Sequence, residues 1–126
     1  MVKEENMHIG TLFQILNQLR MMHWQTESYA AHVALGSLYD SLDELIDDFV
    51  ETYSGKYGKP KLESPLSISV ADIGRIDPES FLGEVAQFLQ GKFSEEFDPS
   101  KDTDIANIRD EMIGAVNKTR YLLRLK

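Results

Sequence analysis

The chain has 126 residues, a formal net charge of −8, and 42% hydrophobic against 27% charged residues. That length and balance suit one soluble globular domain over residues 1–126 and exclude a disordered chain. The absence of cysteine excludes disulfides, thiolate zinc sites and thiol chemistry, and the acidic balance argues against a nucleic-acid duplex or a membrane surface as partner.

The first ten residues, MVKEENMHIG, lack the apolar core of a signal peptide. No apolar run approaches the ~20 residues that span a bilayer, so the expected location is cytoplasmic. Two basic spots stand against the acidic background: Lys56, Lys59 and Lys61 in one segment, and Lys118, Arg120, Arg124 and Lys126 near the end. They read as a solvated loop and as a cationic helix end that complements the helix dipole.

A first helix is predicted from about Asn6 to Gln25. Leu12, Ile15, Leu16, Leu19 and Met22 fall at the spacing of one buried face. His23 lies near the centre of that face and Trp24 well off it. Thr26 and Ser28 are capping residues for a second helix running to about Tyr53. Its apolar stripe is Leu35, Tyr39, Leu42, Ile46, Phe49, Val50 and Tyr53. SGKYGKP then stops it, with Gly55 or Gly58 available for a left-handed cap and Pro60 beyond.

Residues 54–77 form a long connection, in which LSISVADI reads as an extended piece or a short helix. A third helix starts at DPES, with Asp77 as cap and Pro78 in the first turn. Phe81, Val85, Phe88 and Leu89 give its buried stripe, and it ends near Lys92. The Asp102–Asp104 stretch caps a fourth helix that reaches the C-terminus, with Ile105, Ile108, Met112, Val116, Leu122 and Leu123 among its apolar residues. Two helices, a long crossover and two more helices predict an all-α four-helix bundle with one long connection between the second and third helices.

Asp40, Glu44, Asp47 and Glu51 are spaced 4, 3 and 4 apart, within roughly 60° of arc on a helix. They lie nearly opposite the apolar stripe, so a solvated acidic face accounts for them on its own. His32 sits at the edge between stripe and acidic face. Imidazoles and carboxylates are also the ligands that iron, manganese and zinc accept when no thiolate is present. Asp47 and Glu51, one turn apart, suit a single ion. His23 faces the first helix's core side while Asp47 points away from the second helix's core, so a joint site calls for a neighbouring subunit. His8 has no such company.

These residues resemble those of the Dps-type mini-ferritins, the DNA-binding proteins from starved cells. The shared pattern is His-Trp at the end of the first helix, a following His, and Asp-x-x-x-Glu late in the next helix. DTDIANIRDEMIGAVNKTRYLLRL is similar to the family's closing segment. The chain also resembles short phage-encoded proteins of unknown role through HWQT, SYAAH, LYDSLDELIDDFVE and GKYG. The mini-ferritin resemblance implies a ferritin-like bundle, a homo-oligomer paired two-fold through the second helix, and iron as the metal. It carries His23, His32, Asp47 and Glu51 over as ligands for Fe(II), for oxidation by dioxygen or peroxide. Two features depart from the pattern. The family's Asp one turn after the second His is Gly36 here, with Asp40 a turn further on, and the stretch between the histidines is shorter by about one helical turn.

The N-terminal MVKEEN lacks a lysine-rich character, so DNA binding is not expected. Three expectations follow. One is an iron-binding, ferroxidase-like protein with an intersubunit site. Another is a phage-encoded structural or assembly protein that has lost the metal chemistry, in the host cytoplasm or the virion. The third is a helical adaptor whose acidic face docks a basic partner.

Overall fold

The structure, a computed structural model, describes residues 6–125. The expectations placed on residues 1–5 and on Lys126 lie outside the described residues. Four α-helices carry the fold: α1 (Ile9–Gln25), α2 (Tyr29–Tyr57), α3 (Pro78–Gln90) and α4 (Thr103–Arg124), with a 3-10 turn at Lys92–Glu96. No β-strand occurs among the described residues. Among the described residues, no helix is long and apolar enough to cross a membrane.

The helix directions follow from what meets at each end. The turn Thr26–Ser28 makes α1 and α2 antiparallel, and the end of α2 touches the start of α4 through Lys56, Tyr57 and Asp102. Glu79 at the start of α3 meets Arg120 and Arg124 at the end of α4. Thus α1 and α4 run one way and α2 and α3 the other, and the segment between α2 and α3 must travel the length of the bundle.

That crossover is the long connection expected from the sequence, and it contains no helix. Four amide side chains hold it to the outside of the bundle. Asn6 donates to the Lys59 carbonyl and accepts from the Lys61 amide. Gln14 accepts from the Ser69 amide. Gln18, only 3% exposed, donates to the Ala71 carbonyl at 2.9 Å and accepts from its amide at 2.8 Å. Gln25 accepts from the Ile73 amide and donates to Asp72. An amide group presents the same donor and acceptor pair as a peptide, so each residue so engaged pairs like a strand without a sheet.

The helix ends differ from expectation by a turn or less, each for a local reason. α1 starts at Ile9 rather than Asn6 because Met7 and His8 take left-handed backbone, at φ 59° and 51°. The turn tucks Met7 into the core, and its amide donates to Glu96. α2 runs on to Tyr57, since Lys56 and Tyr57 are held by Asp102, and Gly58, at φ 103°, ends it. Ser28 caps α2 by accepting from Ala31, and Asp77 caps α3 by accepting from Ser80, with Pro78 in the first turn as the sequence predicts.

One continuous core joins all four helices. The predicted α1 stripe is buried throughout, and Phe81, Val85, Leu89, Ile105, Ile108, Met112 and Val116 are buried on α3 and α4. On α2 the buried stripe leans toward Ala34 and Leu38, while Tyr39 and Ile46 are only half-buried. That rotation arises because α2 packs against α4 as well as α1, and two neighbours widen the face that must be apolar. Each fully buried leucine in such a core contributes about 1.5–3 kcal/mol.

Candidate functional site

The short turn from α1 to α2 brings the two histidines of the sequence pattern face to face. Their rings stack with centroids 4.0 Å apart and planes inclined by 14°. His23 Nδ1 lies 2.7 Å from the His32 carbonyl oxygen, and His32 Nδ1 lies 2.8 Å from the His23 carbonyl oxygen. A carbonyl oxygen only accepts, so both Nδ1 atoms carry hydrogen and donate. Each neutral ring is left with its lone pair on Nε2. The reciprocal bonds close the last turn of α1 onto the first turn of α2 and fix both tautomers. A hydrogen-bonded Nδ1–H is also the arrangement that orients an imidazole as a ligand through Nε2.

Gly36 is the condition for this packing. A Cβ built on it would stand 2.7 Å from Cε1 of His23, closer than such atoms approach, and a tight 3.0 Å from its Nδ1. The ring of His23 therefore occupies the place where any side chain at position 36 would begin.

Gly36→Ala is expected to push the His23 ring aside. Overpacking costs about 1–3 kcal/mol, and replacing a mid-helix glycine returns about 1 kcal/mol. The net loss is therefore about 1 kcal/mol by urea unfolding. Loss of the two hydrogen-bonded Nδ1–H signals in the imidazole NMR spectrum is the direct check.

Beside the clasp lies a shallow polar depression lined by Arg20, His23, Trp24, Gly36, Tyr39 and Asp40. The Arg20 guanidinium lies over the Tyr39 ring at 4.3 Å and near the Trp24 ring at 5.8 Å. Asp40, the nearest carboxylate to the clasp along α2, thus shares its depression with a permanent cation.

Asp47 and Glu51 stand elsewhere on α2. Position 47 is 11 residues beyond Gly36, about 16 Å along the helix axis. Both carboxylates are exposed, as are Asp40 and Glu44. Glu51 is held above its ordinary 4.5, first by a hydrogen bond with Asp47 and then by repulsion from the Asp47 charge. Two acids one turn apart share a proton more readily when no cation separates them. Among the described residues, no group of three or more histidines and acids converges on a point where an ion could sit. One chain therefore supplies two separate pairs, His23 with His32 and Asp47 with Glu51, and does not by itself fit an iron centre.

His8 pairs with Glu96 at 3.6 Å and packs edge-on against Phe88. Within the second basic spot, Arg120 and Arg124 both bond Glu79, which holds that carboxylate below its ordinary value.

The most constrained charged group was not singled out by the sequence except as a helix cap. Asp102 is fully buried. It accepts from Lys56, from the Tyr57 hydroxyl at 2.6 Å and from the Asp98 amide at 2.9 Å. Those bonds, led by that from Lys56, pull its carboxyl down to about 2. Its side chain does not cap α4. It ties the end of α2 to the start of α4. A lone Asp in a turn carries no sequence signal for that role, because its partners lie 45 and 46 residues away.

A protein of phage T4, described as an uncharacterized 14.6 kDa protein in the mobD-ri intergenic region, is 26% identical over 121 residues. The alignment covers 94% of this chain and 87% of the phage protein. No solved structure matches the chain. A family model matches residues 23–123, from the His23 ring to the last turn of α4. That span takes in the clasp, the acidic face of α2, the crossover and the Asp102 tie, and by it the chain belongs to a family of unknown function, DUF5856.

Proposed function

We propose that this chain is a ferritin-like bundle serving as a self-associating assembly scaffold of phage origin, with its histidine pair used as a structural lock. The paired antiparallel helices and the single full-length crossover support the ferritin-like reading of the topology. The phage relative supports the origin. The observation that carries the reading is the contact of the His23 ring with Gly36. It puts an imidazole where the mini-ferritin pattern has a ligand carboxylate and leaves the Nδ1 atoms of both rings bonded to the backbone.

A second reading is favoured by one feature of the same clasp. Both Nε2 lone pairs are free of hydrogen bonds to the described residues. A two-fold copy offering Asp47 and Glu51 would give His23 and His32 the carboxylates that one chain lacks, making an intersubunit iron site.

Fe(II) oxidation and metal analysis on the size-separated native protein decide between the two. The scaffold reading expects an oligomer that retains no iron and oxidises Fe(II) no faster than buffer. Rapid oxidation with about two irons per interface site, abolished by Asp47→Asn without unfolding, would overturn it in favour of the iron site. A monomer would overturn self-association.

A further inference from the structure

The outer face of the α1–α2 hairpin is apolar where two helices meet and acidic along one side. Ile9, Leu12, Phe13 and Leu16 on α1 face Ile46 and Val50 on α2 across a groove of about 280 Å³, with Pro60 also in its lining. Asp43 and Asp47 form its rim on the α2 side. Phe13 is 49% exposed at the groove, and Trp24, 64% exposed, lies three turns further along the same face of α1. Asp40, Asp43, Glu44, Asp47, Asp48 and Glu51 are all exposed on α2. None of the six makes an ion pair among the described residues. Arg20, the one arginine or lysine of α1, is engaged with Tyr39 and Trp24.

We infer that this groove docks a basic amphipathic helix of another protein, its apolar side chains seated between Phe13 and Val50 and its lysines or arginines set against Asp43 and Asp47. The inference rests on the scaffold reading and names the chemistry of its partner. Charge complementarity selects the occupant. An isologous contact with a second copy sets the same patch against itself. Here that would oppose the Asp43 and Asp47 rim of one copy to the same rim of the other. A cationic helix instead relieves the crowding of Asp47 and Glu51 while covering the exposed aromatic anchor. Helix-in-groove recognition uses apolar residues at i, i+3, i+4 and i+7. The groove's α1 wall runs from Ile9 to Leu16, seven residues or about 10 Å, which is the rise from i to i+7.

The test uses the intact chain and two synthetic 15-residue helices. Both carry leucines at i, i+3, i+4 and i+7; one has lysines on the flanking positions and the other glutamates. Trp24, the one tryptophan in the chain, reports binding by fluorescence from the same face. The lysine helix is expected to bind, more weakly as salt rises, and the glutamate helix not to bind. Asp43→Asn with Asp47→Asn should weaken binding about tenfold, and Phe13→Ser should weaken it by a similar factor. Glu84→Gln with Glu111→Gln removes the same charge from α3 and α4 and should leave binding unchanged.

Binding that falls equally in the α3/α4 variant would reduce the effect to net charge and overturn the docking site. So would a failure of the lysine helix to bind. If the chain remains an iron-free oligomer in that case, the scaffold reading survives and only the groove's partner is lost. Iron-dependent pairing of two copies through this face would overturn both.

Discussion

Asp102→Asn is expected to lower the thermal midpoint by on the order of 10 °C, with most of the loss felt at the junction of α2 and α4. The substitution keeps the shape and removes the charge. Lys56 then loses its counter-charge, and one of the three bonds into the carboxylate is replaced by an amide NH2 that faces donors. The last turn of α2, Ser54–Tyr57, should fray, visible as faster amide exchange at Gly58, whose N–H bonds the Ser54 carbonyl.

The pH dependence has a definite sign. The Asp102 carboxyl in the fold sits at about 2, below its ordinary 3.8. Its contribution is therefore present above pH ~4 and lost as the pH falls toward 2. Lys56 is shifted above its ordinary 10.5, chiefly by its hydrogen bond to Asp102. Its contribution is present below that value and lost as the pH rises through the higher one. The stability gap between the native chain and Asp102→Asn should be widest between these limits and close at both ends. Urea unfolding across the pH series measures it. A gap that stays constant down to pH 2 would show that the carboxylate's charge is not what the junction uses.

Phe49→Ala is expected to destabilise the bundle by about 3–5 kcal/mol. Phe49 is fully buried, and its ring lies 4.5 Å from that of Phe93 and 5.9 Å from those of Tyr53 and Phe97. Phe93 and Phe97 belong to the connection between α3 and α4, so this cluster fastens an irregular segment to α2. The ring cannot be replaced by a small shift of its neighbours, because Phe97 is followed by the Asp98 turn whose amide is held by Asp102. A cavity should therefore persist. The urea midpoint should fall with little change in slope. A loss below about 1 kcal/mol would mean that the aromatic end of the bundle collapses readily and does not anchor the connection.

Much of the architecture was legible from residue pattern alone. The 3.6-residue periodicity of Leu12, Ile15, Leu16, Leu19 and Met22 and of Ile105, Ile108, Met112 and Val116 marked the buried faces, because a helix must put its apolar side toward the core. Asp77-Pro78 and Ser28 marked helix starts because their chemistry is local, within three residues of the bonds they make. The carboxylates of α2 were legible as an exposed face for the same reason, since their spacing alone puts them opposite the apolar stripe.

What depended on distant partners was not legible. Gln14, Gln18 and Gln25 look like ordinary polar positions of α1, and only the crossover's path makes them its clasps. Leu38 outranks Tyr39 in burial because α4 lies on its side of α2, a fact absent from α2's own sequence. For the histidines, the sequence by itself determined their presence at the ends of two successive helices. Only the tertiary structure decided that they stack and exchange Nδ1–H bonds, that Gly36 makes room for the ring, and that Asp47 and Glu51 stand about 16 and 22 Å further along. Periodicity fixes the direction in which a side chain leaves its helix, but the packing of one helix on another determines what it meets.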